Sequence, residues 1–332
     1  MTYSAGGEIQ ATDFDNIVGA TTSTTTTQFN CLWGVGQGNY GLGQTPISNV
    51  GGGGEVFASD WANLISATNI VANHQATSIT TVSPPGAGQL ITYQALDPTN
   101  VNAVLAHPNN ARGQGTAITS SVTTSGSWQI SATFTHTITF GSGNQARYFF
   151  NAGGQIKIQC SHPQTTGNAI NVMFQSMATA MGTLVLGLPS STIAGSSYNG
   201  FTQVGGSSGT VTNIGYYGLT SSNQQTFIIL PSGTIPSGYS SSYISVNIRT
   251  NGTQNSNGDK GSVLYITTTW TEVLPAASTR FNTFTQTYTP DIGLPVQPSI
   301  TNTTVNVIPP TTAYSLINSW GTPTVSGSVA VS

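Results

Sequence analysis

The chain has 332 residues, with nine acids and six bases for a formal net charge of −3, and only 5% of its residues are charged, against about 25% in ordinary soluble domains. That balance excludes a nucleic-acid binder working through a basic patch, and no apolar run approaches the ~18 residues that argue for membrane insertion. With 37% apolar residues and 39 glycines, the composition is not that of a disordered tail but of a β-rich chain hydrated by Ser, Thr, Asn and Gln.

The opening is written twice. Residues 6–21, GGEIQATDFDNIVGAT, and residues 53–68, GGEVFASDWANLISAT, share eight of sixteen positions at an offset of 47. Each copy reads as a glycine turn, a short extended piece and a helix. Thr12 and Ser59 are candidate caps, with Asp13 and Asp60 in the electropositive first turn. Phe14, Ile17 and Val18, and in the second copy Trp61, Leu64 and Ile65, fall at i, i+3, i+4 on one helical face. Such short helices are unstable alone, so each stripe must dock on the other copy, on the main body or on a neighbouring protein. These six residues are the candidate docking face.

Between the copies, Gly36-x-Gly38-x-x-Gly41 is formally a dinucleotide fingerprint. No helix is expected to follow it, so it reads as a glycine turn and no cofactor is expected. Residues 76–115, with four prolines, read as an irregular linker. SWQISATFTHTITF then alternates without a break: Trp128, Ile130, Ala132, Phe134, Ile138 and Phe140 share one parity, the signature of a half-buried antiparallel strand. His136 lies on its apolar side as a core histidine. GSGNQA reads as a turn, RYFFN as a returning strand, AGG as a second turn and QIKIQCS as another strand. Residues 168–182 change to helical spacing, with Met173, Met177 and Met181 in one stripe. TFIIL, SYISVNIRT and SVLYITTTWTEVL are strands, the last two flanking a hairpin tip at 251–261. Residues 276–332, rich in Pro and Thr, read as an extended arm.

Catalytic chemistry is sparse. Gly205-Gly206-Ser207-Ser208-Gly209 matches a nucleophile elbow, but no histidine follows His162, so the hydrolase order of acid and then histidine fails. The four histidines lack metal-ligand spacing. Asp259 and Glu272 are the conceivable carboxylate pair for glycan cleavage. MTYSAGGEIQ shows no secretory pattern, so a disulfide between Cys31 and Cys160 is not expected. Cys160 shares the parity of Ile156 and Ile158 and reads as a buried free thiol. Tyr216, Tyr217, Tyr239 and Tyr243 sit among Gly and Ser, where flat rings with polar tips suit sugars or protein surfaces. They are the candidate receptor contacts.

At GSGNQARYFFNAGGQIKI (141–158) and WGVGQGNYGLGQ (33–44) the chain resembles virion structural proteins of tailed bacteriophages, especially fibre-like tail proteins of phages infecting cyanobacteria. The resemblance covers roughly residues 6–185. It implies an assembled β-rich virion component and carries over no catalytic residues; Gln155 stands where an acid is common. The expectation is a mainly β protein with antiparallel sheets or a β-sandwich body, two short N-terminal helices, one internal helix and a C-terminal arm. It divides into a docking region (1–75), a linker (76–115), a body (116–275) and an arm (276–332). A body freed of residues 1–70 is expected to fold but not to join particles. The expected partners are copies of itself, with a trimer the leading number, other tail or baseplate proteins, and a host-surface glycan or protein; neither nucleic acid nor membrane insertion is expected. The expected location is the virion tail, assembled in the host cytoplasm. The alternatives are a surface-glycan depolymerase and a non-viral bacterial surface adhesin, the latter needing a secretion route.

Overall fold

The computed structural model describes residues 10–87, 89, 98–163, 169–233, 235, 238–273, 298 and 300–332. The helices are α1 (Ala11–Val18), α2 (Phe29–Trp33), α3 (Ala58–Gln75), α4 (Pro98–Leu105), α5 (Gly143–Asn151) and α6 (Ala169–Met181). The strands to the middle of the chain are β1 (Asn110–Ala111), β2 (Ile118–Thr123), β3 (Ser131–Thr139), β4 (Gln155–Ser161), β5 (Thr183–Leu186), β6 (Ser191–Ile193), β7 (Ser196–Tyr198) and β8 (Phe201–Val204). The rest are β9 (Thr210–Val211), β10 (Gln224–Ile229), β11 (Tyr243–Thr250), β12 (Val263–Thr271), β13 (Asn302–Ile308) and β14 (Thr324–Val331).

The protein is mainly β, as its alternation predicts. Two antiparallel sheets dominate, one in the order β14-β3-β12-β11-β10-β9 and one in the order β2-β13-β4-β5-β8. A small third sheet, β1-β6-β7, includes one parallel pair. Period-2 patterning puts Phe134 and Ile138 of β3, Ile266 and Trp270 of β12, and Ile156, Ile158, Val305 and Val307 of the second sheet into one core. The helix α6 packs on β4 of one sheet and β11 of the other. Its Phe174 meets Trp128 and Trp270 at 5.2 and 5.7 Å between ring centroids, so the methionine stripe is core. His136 is buried on the inner face of β3, and burial lowers its pKa to about 4.

Outward faces carry mostly hydroxyls and carboxamides; their charges are Lys157 on β4 and Arg249 on β11, which lies 3.8 Å over the Tyr265 ring. Thr119 donates to Asn306 at 2.7 Å, Ser121 and Thr304 share a bond at 3.0 Å, and Gln159 donates to Thr183 at 3.0 Å. On the other sheet, Thr133, Thr135 and Thr137 lie opposite Thr269, Thr267 and Tyr265.

The two opening units fold as helices and find each other. Phe14 and Trp61, equivalent positions in the repeat, meet edge to face at 5.0 Å. The proposed caps are displaced by one pair of residues. Gln10 and Phe57 occupy the N-cap positions, and their backbone amides donate to Asp13 and Asp60 at 3.0 and 2.9 Å. The acids therefore close each first turn in the same way. The helix α3 runs to 18 residues, well beyond the expected short element.

Three further readings change. RYFFN belongs to helix α5: Ser142 accepts from the Gln145 amide at 3.1 Å as N-cap, and Ala146, Phe149 and Phe150 point inward at helical spacing. Within the linker, Pro98 opens α4, where its missing N–H costs nothing; residues 90–97 lie outside the described residues. The C-terminal segment beyond 302 is not an arm apart from the body. There β13 pairs with both β2 and β4, and β14 pairs with β3; residues 276–297 lie outside the described residues. One core runs from Phe14 to Trp320, crossing the expected boundaries at 75, 115 and 275. Removing residues 1–70 would strip Phe14, Phe29, Leu32 and Trp61 from that core. Both cysteines are free; Cys31 is buried, and Cys160 is half-buried beside Thr303 at 3.8 Å.

Candidate functional site

The two stretches that carry the phage resemblance are mates in space. After α2 the chain turns sharply on glycines. A Cβ at Gly36 (φ +54°) would sit 2.0 Å from the Cys31 carbonyl oxygen, and one at Gly41 (φ +98°) 2.1 Å from that of Val35. Only glycine fits either position. The turn points its carbonyls at α5. Arg147 Nη1 donates to Tyr40 O at 2.8 Å and Nη2 to Val35 O at 2.6 Å. One turn further along α5, Asn151 Nδ2 reaches the carbonyls of Gly38, Tyr40 and Gly41 at 3.0 Å each. Arg147 is 1% exposed. Its charge is met by these carbonyls, by Asn144 Oδ1 at 3.1 Å and by the face of Tyr148 at 5.1 Å, which offsets much of the cost of burying it.

Two more segments close on this clamp. The hydroxyl of Tyr217, in a 3-10 turn at Tyr216–Gly218, donates to Asn151 Oδ1 at 2.7 Å and also contacts Gly38 O. Tyr216 stacks on Phe150 at 4.3 Å, and its hydroxyl donates to Gly258 O at 2.9 Å in the β11–β12 hairpin tip. The tip also accepts from the Gly38 amide through Asn257 O at 3.2 Å. Burial pushes both tyrosine hydroxyls well above their ordinary pKa, so both stay protonated donors.

Beside the clamp is a cleft of about 340 Å³, lined by Gly38, Asn39, Asn109, Pro189, Ser190, Tyr217, Asn255 and Ser256. Its wall is uncharged. Asn39 Nδ2 donates to Asn109 Oδ1 at 2.8 Å, and Asn255 Oδ1 accepts from the Asn257 amide at 3.0 Å. The hairpin's own charges, Asp259 and Lys260, pair with each other at 3.4 Å.

The candidate docking residues are placed otherwise than a docking face requires. Phe14, Ile17, Val18, Trp61, Leu64 and Ile65 are all buried in this chain's own core, against the other copy and the body. The four tyrosines split into two pairs. Tyr216 and Tyr217 belong to the clamp. Tyr239 is half-buried against the core, and Tyr243 opens β11 opposite Thr271. Eight residues of β11, at about 3.3 Å each, put about 25 Å between Tyr243 and the hairpin tip. Asp259 and Glu272 are separated in the same way: one is on the tip, the other beyond the far end of β12, about 30 Å of strand away. Glycan cleavage needs carboxylates within about 5–9.5 Å, so this pair does not form. Gln155, at the position where an acid is common, is buried and accepts from Gln114 Nε2 at 2.5 Å. Burial lowers the pKa of His74 to about 4 and holds that of His162 down, while His162 Nε2 lies 3.0 Å from Asn171 Oδ1. Among the described residues no three His, Cys, Asp or Glu side chains gather as a metal site, and no helix is long and apolar enough to cross a membrane.

Arg147, Asn151, Asn39, Asn109 and Asn255 were not legible as a group. The only sequence signal was the i, i+4 spacing of Arg147 and Asn151, visible once RYFFN is placed on a helix. Comparison of the chain with protein-family models, with curated proteins and with solved structures finds no match.

Proposed function

We propose that this chain is a structural component of a tailed-phage virion, a tail-associated fibre- or adhesin-like protein that assembles with copies of itself. The observation that carries this reading is the interlock of the two resembling stretches. Arg147 and Asn151 of the first are used to hold the backbone carbonyls of the second, which is a role in shape rather than in turnover. The nearly uncharged surface supports it, because strand faces without like-charge repulsion pack readily against copies. The six apolar stripe residues are consumed internally, so contacts with copies and tail proteins are assigned to the hydroxyl-covered strand faces.

The test uses the full chain in its native setting. Washed particles from a producing culture are digested for mass spectrometry and labelled with antibody for imaging, and the purified chain is weighed by native mass spectrometry. The expected result is stoichiometric chain in the particles, label on the tails and an oligomer, with three copies the leading number. Absence from washed particles, or a lone monomer that turns over a small molecule, overturns the proposal.

A further inference from the structure

We infer that the cleft beside the clamp is a binding site for a neutral saccharide of one or two rings. Its volume of about 340 Å³ lies at the lower end of the range for small-ligand clefts, roughly 300–1,000 Å³. Its wall comes from five separate segments, residues 38–39, 109, 189–190, 217 and 255–256, that the hairpin tip and the glycine turn bring together.

The chemistry of the wall selects the ligand. A carboxamide has two N–H donors and an oxygen that accepts twice. The Asn39–Asn109 bond uses one donor of Asn39 and one acceptor site of Asn109. Asn39 Oδ1 is left as an acceptor and Asn109 Nδ2 as a donor, on two residues of the same wall. Adjacent hydroxyls on a sugar ring each donate and accept, and they match such a pair. Asn255 holds its Oδ1 on the Asn257 amide and keeps Nδ2 for a ligand, while the hydroxyls of Ser190 and Ser256 rotate to suit either role. Tyr217 supplies the apolar part. Its hydroxyl is fixed by Asn151, so the ring cannot swing, and with Pro189 it offers a hydrocarbon wall for the C–H face of a sugar. No lining residue is charged; a phosphate, a carboxylate or a cation would enter uncompensated. The wall is held by bonds already made, so little ordering is required on binding.

The site is a property of the purified chain and stands whether or not the chain is carried on a particle. The full-length protein is titrated by saturation-transfer NMR and calorimetry with methyl glucoside, methyl galactoside, N-acetylglucosamine, maltose and cellobiose, and with glucuronic acid and sialic acid as charged controls. At least one neutral sugar is expected to bind. Asn109→Ala should weaken it about tenfold, the loss expected when a directed hydrogen bond goes and its partner is left unpaired. Ser190→Trp and Ser256→Trp, both at exposed positions, should abolish binding by filling the cleft while leaving the thermal unfolding midpoint in place; either variant alone is sufficient. The inference is overturned if no neutral sugar binds at the highest soluble concentration, if only the charged sugars bind, or if binding survives the tryptophan variants.

Discussion

The two copies of the opening unit begin alike and end differently. Both start with an aspartate closing the first turn, and both bury an aromatic at the same position. The helix α1 then stops at Val18, whereas α3 continues for another ten residues beyond the equivalent Ile65. The divergence starts one residue later. Gly19 takes φ +75°, and a Cβ there would meet Gln28 at 2.4 Å; its carbonyl is captured by the buried Asn30 side chain at 2.9 Å. The second copy has Ser66 at that position, followed by Ile70, Val71 and Ala72 instead of a threonine run. The extension reaches α4, where Gln75 Nε2 donates to the Val104 carbonyl at 3.2 Å. A duplicated stretch thus provides one short and one long element, and the sequence just past the repeat decides which is which.

The strongest way to break this pairing is at its aromatic contact. Trp61→Ala should cost about 3–5 kcal/mol in urea unfolding and Phe14→Ala somewhat less. If the copies support each other, the double variant should lose less than the sum by about 0.5–1.5 kcal/mol; strict additivity would show that they are merely adjacent. A second test uses what only the longer copy has. His74, in the extension, is buried with its pKa lowered from 6.5 to about 4. The unfolded chain binds the proton first, so stability is full above pH about 6.5, falls on acidification and levels off below about 4, by at most about 3 kcal/mol. His136 behaves in the same direction, so His74→Leu should remove only part of the acid sensitivity of the unfolding midpoint. The smallest effect sharpens the comparison most. Ser66→Gly places the first copy's residue in the second copy and should cost only about 0.5 kcal/mol, with circular dichroism showing no loss of helix. A shortened α3 would mean that the glycine alone ends the first helix.

What could be read from the sequence followed from period. The alternation of β3, the stripes of α1 and α3, and the methionines of α6 each bury one face, and a buried face leaves a periodic trace. RYFFN left a misleading one. Helix α5 buries Arg147, Tyr148 and Asn151 as well as Phe149 and Phe150, so no polar side marks its turn, and its aromatics mimic a strand. In β13 the alternation of Thr303, Val305 and Val307 was present but sat inside a stretch rich in proline and threonine. The clamp and cleft were out of reach for a different reason. Arg147 and Val35 are 112 residues apart, and nothing local in either segment names the other.

The hydroxyl and carboxamide lattice on the outer strand faces has an ionic consequence. Salt weakens attraction between exposed charges within a Debye length of about 10 Å at 0.1 M, and among the described residues a single ion pair, Asp259 with Lys260, is open to that screening. Bonds such as Thr119 to Asn306 carry no net charge to screen. Contacts made through such bonds would hold at low and at high salt alike.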